Sequence, residues 1–310
     1  MKKLFKKRNF NINFLGMRKI GYTIAAILLA VSVWSFFTKG LNYGVDFEGG
    51  VLIEVSSENA IDMDKMRSDL SFLQELSIQS IGIGSEIKSV LIQTQAEEAG
   101  LTGPQLVEKI KSVLGNGYTY DRVETIGPRI GQELKEKSLL ASVLALLAIS
   151  IYIWLRFEWP FAIGCMTSLA YNLAIVVGAF SVFGWEFDMI VVAGLLSLAG
   201  YACNDTIVTY DRVRENLQKF HKMNKDELLN KSINETLSRT ILTGVTTLFV
   251  LLVLLFIGGQ TLQGFSISMA LGLVVGTYAS IFLAVPMLRY FDIAQVANKG
   301  ETNPYANAEK

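Results

Sequence analysis

The sequence predicts a polytopic α-helical membrane protein with six transmembrane helices and one α+β domain inserted between the first two. Three observations carry this. Hydrophobic residues make up 51% of the 310 and charged residues only 18%, an imbalance uncommon in soluble chains. Uncharged runs of 16 residues or more recur along the chain, close to the length at which a helix crosses the hydrocarbon core. The charges are also sorted: residues 1–19 hold seven Lys/Arg and no acid, whereas residues 38–137 hold ten Lys/Arg against sixteen Asp/Glu.

In order along the chain, residues 1–19 read as a basic cytoplasmic lead and residues 20–38 as the first span. A cleaved signal peptide is the rival reading of that run. Trp34, Phe36 and Phe37 stand where small cleavage-site residues should be, which favours an anchor. Residues 39–137 form the inserted domain. Strand patterns at Val51–Val55, Glu86–Gln95 and Tyr118–Ile126 flank two helical patterns, Asp62–Leu76 and one opened by Gly103-Pro104. The order strand, helix, strand, strand, helix, strand is ferredoxin-like. Gly49 and Gly50 mark a tight bend at its entry, and are expected to act as a hinge. Asp46 and Glu48 flank that bend and more simply cap it than form a catalytic pair.

Residues 138–157, 159–184 and 189–210 give spans two to four. Residues 211–238 read as an amphipathic loop lying along the inner membrane face, with Val213, Leu217, Leu229, Ile233 and Leu237 as its apolar stripe. Residues 239–258 and 265–288 give spans five and six, and residues 289–310 a polar cytoplasmic tail. The basic N-terminus, Arg156, the 211–238 loop and Arg289 then share one side, as the positive-inside rule demands. This puts both termini in the cytoplasm and the acidic domain in the periplasm.

Chemistry concentrates in the fourth span. Asp205 and Asn204 sit where hydrocarbon should surround the helix, and an acid there is costly enough to mark a functional site. Gly194, Ser197, Tyr201, Asp205 and Thr209 recur at helical spacing, small or polar at every step. Arg239, Thr243 and Thr246 offer a matching face on the fifth span, with Arg239 as the expected partner of Asp205. Ser268, Gly272, Gly276 and Ser280 form a small-residue packing face on the sixth. The competing reading makes Asp205 an interfacial acid, about 10 Å along the helix from Arg212, and Arg239 a plain topology anchor. The two cysteines, Cys165 and Cys203, fall in apolar runs and read as core residues. A single histidine, His221, in a charged loop gives no support to a metal site or a hydrolytic triad. No basic patch suggests nucleic acid, and nothing supports an enzyme.

Four motifs, in order, carry a family resemblance. Gly200-Tyr201-Ala202-Cys203-Asn204-Asp205-Thr206, followed by Asp211-Arg212-Val213-Arg214-Glu215-Asn216, resembles the fourth-span motif of the SecF family of the bacterial preprotein translocase. Gly44-Val45-Asp46-Phe47-Glu48-Gly49-Gly50 resembles that family's entry to its periplasmic domain. Leu237-Ser238-Arg239-Thr240 and Gly276-Thr277-Tyr278-Ala279-Ser280 resemble its fifth and sixth spans. Where family members carry a third-span His-Asp pair, this chain has Tyr171-Asn172. The resemblance implies an RND-like half in the bacterial inner membrane, working with a SecD-like subunit. The SecYEG channel with SecA, YajC and exported preproteins are its further implied partners. A proton or sodium gradient would drive it, with no other cofactor, and Asp205 and Arg239 would be its ion-coupling pair, supported by Asn204, Tyr201, Thr209, Thr243 and Thr246. The alternatives are a half-size RND exporter of small molecules or lipids, and a passive scaffold subunit.

Overall fold

The structure, a computed structural model, describes residues 11–73, 76–81, 87–94 and 102–293. Most of the basic lead (1–10), the edges of the predicted 86–95 strand and most of the tail (294–310) lie outside the described residues. Among the described residues, six helices are long and apolar enough to cross a membrane. They are α1 (Arg18–Lys39), α5 (Pro128–Arg156), α6 (Trp159–Phe183), α7 (Met189–Lys219), α8 (Lys225–Ile257) and the run Gln263–Tyr290, which opens with α9 (Gln263–Ala279). The helices start where caps allow. Pro128 and Pro160 open α5 and α6, Asp188 accepts from Val191 N–H at the head of α7, and Asn224 from Asp226 N–H at the head of α8.

Between α1 and α5 the chain forms β1 (Asn42–Tyr43), α2 (Val45–Glu48), β2 (Gly50–Ser56), α3 (Met63–Asp69), β3 (Ser77–Ile81), β4 (Ser89–Thr94), α4 (Gly103–Leu114) and β5 (Thr119–Ile126). The four longer strands make a sheet of order β3-β4-β2-β5 with every neighbour antiparallel, the ferredoxin-like arrangement expected from the element order. One face of the sheet (Val51, Ile53, Val55, Val90, Ile92) buries Met66 and Leu70 with Leu106, Val107 and Ile110 of α4. The first helix is shorter than its apolar spacing predicts: α3 ends at Asp69 and turns carry Leu70 and Leu73 into the core.

Gly49 and Gly50 sit in a close backbone crossing. Both have positive φ, +77° and +148°. A Cβ at Gly49 would lie 2.7 Å from Pro128 Cα, one at Gly50 2.6 Å from the Thr94 carbonyl, and one at Gly131 2.9 Å from Gly49 N. The entry and exit of the domain therefore cross with backbone against backbone, which only glycine permits.

The 211–238 segment departs from expectation. It is largely helix instead of loop, because α7 runs unbroken to Lys219 and α8 begins at Lys225. The two helices extend past the bundle as a hairpin. Val213 and Leu217 of α7 and Leu229, Ile233 and Leu237 of α8 are buried together with Phe14, Leu15 and Leu288. The apolar stripe is thus covered by protein. Arg212 pairs with Glu235 at 2.6 Å, and buried Asn216 donates to Ser232 at 2.9 Å and Glu235 at 2.8 Å, which holds the hairpin closed. Arg156–Asp211 (3.3 Å), Arg214–Glu158 (3.6 Å) and Arg289–Asp226 (2.8 Å) are further ion pairs at this end.

Candidate ion-coupling site

Within the bundle, α6 and the sixth span are the most enclosed, and α5 and α8 lie outermost. Small residues set the approach distances. A Cβ at Gly178 of α6 would lie 2.2 Å from Ser32 Cβ of α1, and Ser35 and Ser181 share a hydrogen bond of 3.0 Å. A Cβ at Gly194 would lie 2.2 Å from Ser268 Oγ, one at Gly272 2.0 Å from Leu198 Cδ2, and one at Gly276 2.8 Å from Asn172 Nδ2. Helix α7 is thereby held close against α9, which places Asp205 beside the end of α9.

The Asp205 carboxylate accepts two hydrogen bonds. Thr240 of α8 donates to Oδ1 at 2.8 Å, and Ser280 of the sixth span donates to Oδ2 at 3.1 Å. One acid thus joins three helices, in a half-buried setting where hydroxyl donors stand in for water. Thr209 donates to the Asp205 carbonyl (3.3 Å) and lies 3.4 Å from the Thr236 hydroxyl. Thr247 donates to the Tyr201 hydroxyl at 3.5 Å. Thr236, Thr240 and Thr247 therefore form the inward face of α8.

Several expected residues stand elsewhere. Among the described ion pairs none joins Asp205 to Arg239. Successive helical residues are about 100° apart, so presenting Thr240 to Asp205 leaves Arg239 beyond ion-pair distance, although its charge still acts on the acid. Arg239 is exposed and borders an open polar groove of about 970 Å³ with Asp211, Arg212, Glu235 and Thr236. Thr243 and Thr246 are exposed and donate only to carbonyls of their own helix. The expected polar face of α8 is thus one residue out of phase. Asn204 and Ser197 are also exposed, and Ser197 donates to the Ala193 carbonyl. Ser280, expected as a packing residue, is a carboxylate donor. Thr236, Thr240 and Thr247 were legible as a heptad-spaced stripe, but Arg239 drew the helical wheel to its own side.

In the third span, Tyr171 and Asn172 are both buried, and among the described residues neither Asn172 side-chain atom has a hydrogen-bond partner. Cys165 and Cys203 are free thiols buried in the core shared by α6 and α7.

A second polar cluster lies at the opposite end of the bundle. β1 pairs in parallel with β6 (Glu186–Phe187), and Tyr43, Phe47 and Phe187 pack ring on ring. Asp46 accepts from Met189 N–H at 3.1 Å, Gln93 of β4 donates to Glu186, and Arg122 of β5 donates to Thr261 at 2.7 Å. Burial raises the Glu186 and Asp188 carboxyls above their ordinary values, despite a side-chain hydrogen bond to Glu186 and backbone hydrogen bonds to Asp188 that act in the other direction. These contacts seat the sheet domain on the ends of the helices.

Comparison with known proteins follows the same lines. Residues 106–293 match the family described as "Protein export membrane protein SecD/SecF, C-terminal", and residues 34–61 match the SecD/SecF GG motif. A protein translocase subunit SecF from Pseudomonas aeruginosa is 40% identical over 289 residues, covering 91% of this chain and 92% of that protein. The chain belongs to the SecF family. Its SecF relative in Rickettsia rickettsii is 39% identical over 285 residues, covering 91% of this chain and 92% of that one. The crystal structure of SecDF from Thermus thermophilus, a translocon-associated membrane protein, superposes with a TM-score of 0.79 at 32% identity over 91% of this chain. SecDF in a super-membrane-facing form gives 0.67 at 30% identity over 98%. This SecF-family chain spans only 38% and 41% of those two SecDF chains. The GG match falls on the Gly49–Gly50 crossing, and the C-terminal match takes in every helix from α5 onward.

Proposed function

We propose that this chain is a subunit of a protein translocase accessory complex of the bacterial inner membrane. In this reading, ion movement through the Asp205 site drives movement of the sheet domain, which assists export on the periplasmic side. The observation that carries it is the Asp205 carboxylate bonded to two other spans at once. Protonation removes the charge that Thr240 and Ser280 solvate, so it changes the force holding α7, α8 and the sixth span together. α7 begins at Asp188 and Met189, where Asp46 and the aromatic cluster seat the domain. A rigid helix can carry displacement from one place to the other.

The chain spans less than half of each SecDF structure it resembles, so a SecD-like half supplies the rest of the unit. The exposed Arg239, Thr243 and Thr246 form the face offered to that half, because a polar stripe is costly against lipid. SecYEG, YajC and exported preproteins are the further partners of this reading. The basic end of the bundle faces the cytoplasm and the sheet domain the periplasm.

The test is gradient-dependent export of a preprotein in cells whose only copy of the chain carries Asp205→Asn. The substitution keeps size and one acceptor oxygen but removes the titratable charge. Normal membrane level and complex assembly with loss of the gradient-dependent part of export are expected. Wild-type export by that variant sinks the mechanism, and dye or lipid efflux by the purified chain without a SecD-like partner would favour a small-molecule exporter.

A further inference from the structure

The sixth span is not a continuous α-helix. After α9 it passes through a π-helical turn, Ser280–Ala284, in which Val285 N–H returns to the Ser280 carbonyl five residues back. Such turns add one residue to the helix, shifting the register of all that follows, and are rare. Pro286, just beyond, has no N–H to give. Leu288 N–H turns to the carbonyls of Pro286 and Val285 and so leaves the Ala284 carbonyl.

That carbonyl is taken by Tyr210 of α7, whose hydroxyl donates to Ala284 O at 2.9 Å. Tyr210 is fully buried, with its ring packed on Phe161 and Phe157 at 5.1 and 6.2 Å between centroids. Gly164 of α6 makes room for the contact: a Cβ there would lie 2.3 Å from the Tyr210 hydroxyl and 3.2 Å from Ala284 O. The first residue of the turn, Ser280, is the donor to Asp205. Helix α7 therefore grips the turn at both ends, with Asp205 at its start and Tyr210 at its close.

We propose that Tyr210 is a positioning residue for Asp205: its hydroxyl holds the π-turn of the sixth span in the register that presents Ser280 to the carboxylate. The turn is then the element through which the charge state of Asp205 reaches the end of the sixth span. By linkage, whatever fixes the turn also fixes the setting of the acid. The functional consequence rests on the reading of Asp205 as the coupling group, but the geometry does not.

The experiment is isotope-edited infrared spectroscopy of the full chain purified in detergent. The Asp205 carboxyl band is assigned by its loss in Asp205→Asn. Ser280→Ala removes a donor and is expected to move the band. Tyr210→Phe keeps the ring packing, lacks only the hydroxyl and never touches Asp205, yet it is expected to move the band in the same direction. The double variant should show no shift beyond that of Ser280→Ala alone, because both act through one contact. Gly164→Ala crowds the same contact from the third span and gives a second route to the same shift, should Tyr210→Phe fail to fold. A wild-type band in both Tyr210→Phe and Gly164→Ala, an unmoved band in Ser280→Ala, or full additivity in the double variant overturns the proposal. The readout needs no export, so an Asp205→Asn variant that exports normally would refute the functional reading and leave this result standing.

Discussion

At the scale of single residues, the neighbours of Asp205 decide what it does. Thr240 and Arg239 are adjacent in sequence, yet only Thr240 hydrogen-bonds the carboxylate, while Arg239 acts on it through its charge without forming an ion pair. Thr240→Val keeps the shape of the side chain and removes a donor to a charged group. It should lower the thermal stability of the purified chain by the equivalent of about 1.5–3 kcal/mol and reduce gradient-dependent export. Thr243→Val, one turn on, should stay within about 0.5 kcal/mol of wild type in that melt, because Thr243 touches only its own helix. Equal effects from the two would show that the wrong face of α8 has been assigned to the acid.

At the scale of elements, approach distance between helices is set by what is missing from glycine. The Leu198 side chain occupies the place of a Gly272 Cβ and is itself fully buried, so it has no open space to retreat into. Gly272→Ala should destabilise the chain by about 1–3 kcal/mol. Leu198→Ala in the same chain should recover part of the loss, because it clears the space, and a double-mutant cycle on thermal melts would measure the coupling. Simple additivity would place the two residues out of contact. The α7–α8 hairpin teaches a related lesson. Its 211–238 pattern is amphipathic and reads well as a surface helix, but amphipathicity states only that an apolar face is covered. Here Phe14, Leu15 and Leu288 cover it in place of lipid.

At the scale of the whole molecule, the sheet domain and the bundle meet through Asp46, Gln93, Glu186 and Arg122. Burial, with Asp188 and Asp46 nearby, raises Glu186 above its ordinary value. The seated state therefore favours the protonated acid. The added stability is present in full below the free-carboxyl value of about 4.3, and it is lost as the pH rises through the raised value of the seated state. Hydrogen exchange in β4 and β5, corrected for the intrinsic rate, should speed up across that interval. Glu186→Gln, which keeps an acceptor but cannot titrate, should flatten the response. An unchanged pH profile in that variant would remove Glu186 from the seating of the domain.

Much of this molecule was determined by local properties of the chain. Uncharged run length, the sorting of charge and strand-helix alternation depend on each segment's own solvation and hydrogen bonding, so six spans and a ferredoxin-like domain could be read directly. The anomaly of Asp205 was legible for the same reason: an acid in an apolar run stands out whatever packs against it. Its partners were not legible, because they depend on the rotation of α8 about its axis, where one residue is about 100°. Periodicity located a polar face but could not tell which side of Arg239 it lay on. The β1–β6 pairing, the π-turn at Ser280–Ala284 and the Gly49–Gly131 crossing had no local signal either. Each arises where segments distant in sequence compete for the same space, and only the packed tertiary structure settles which backbone gives way.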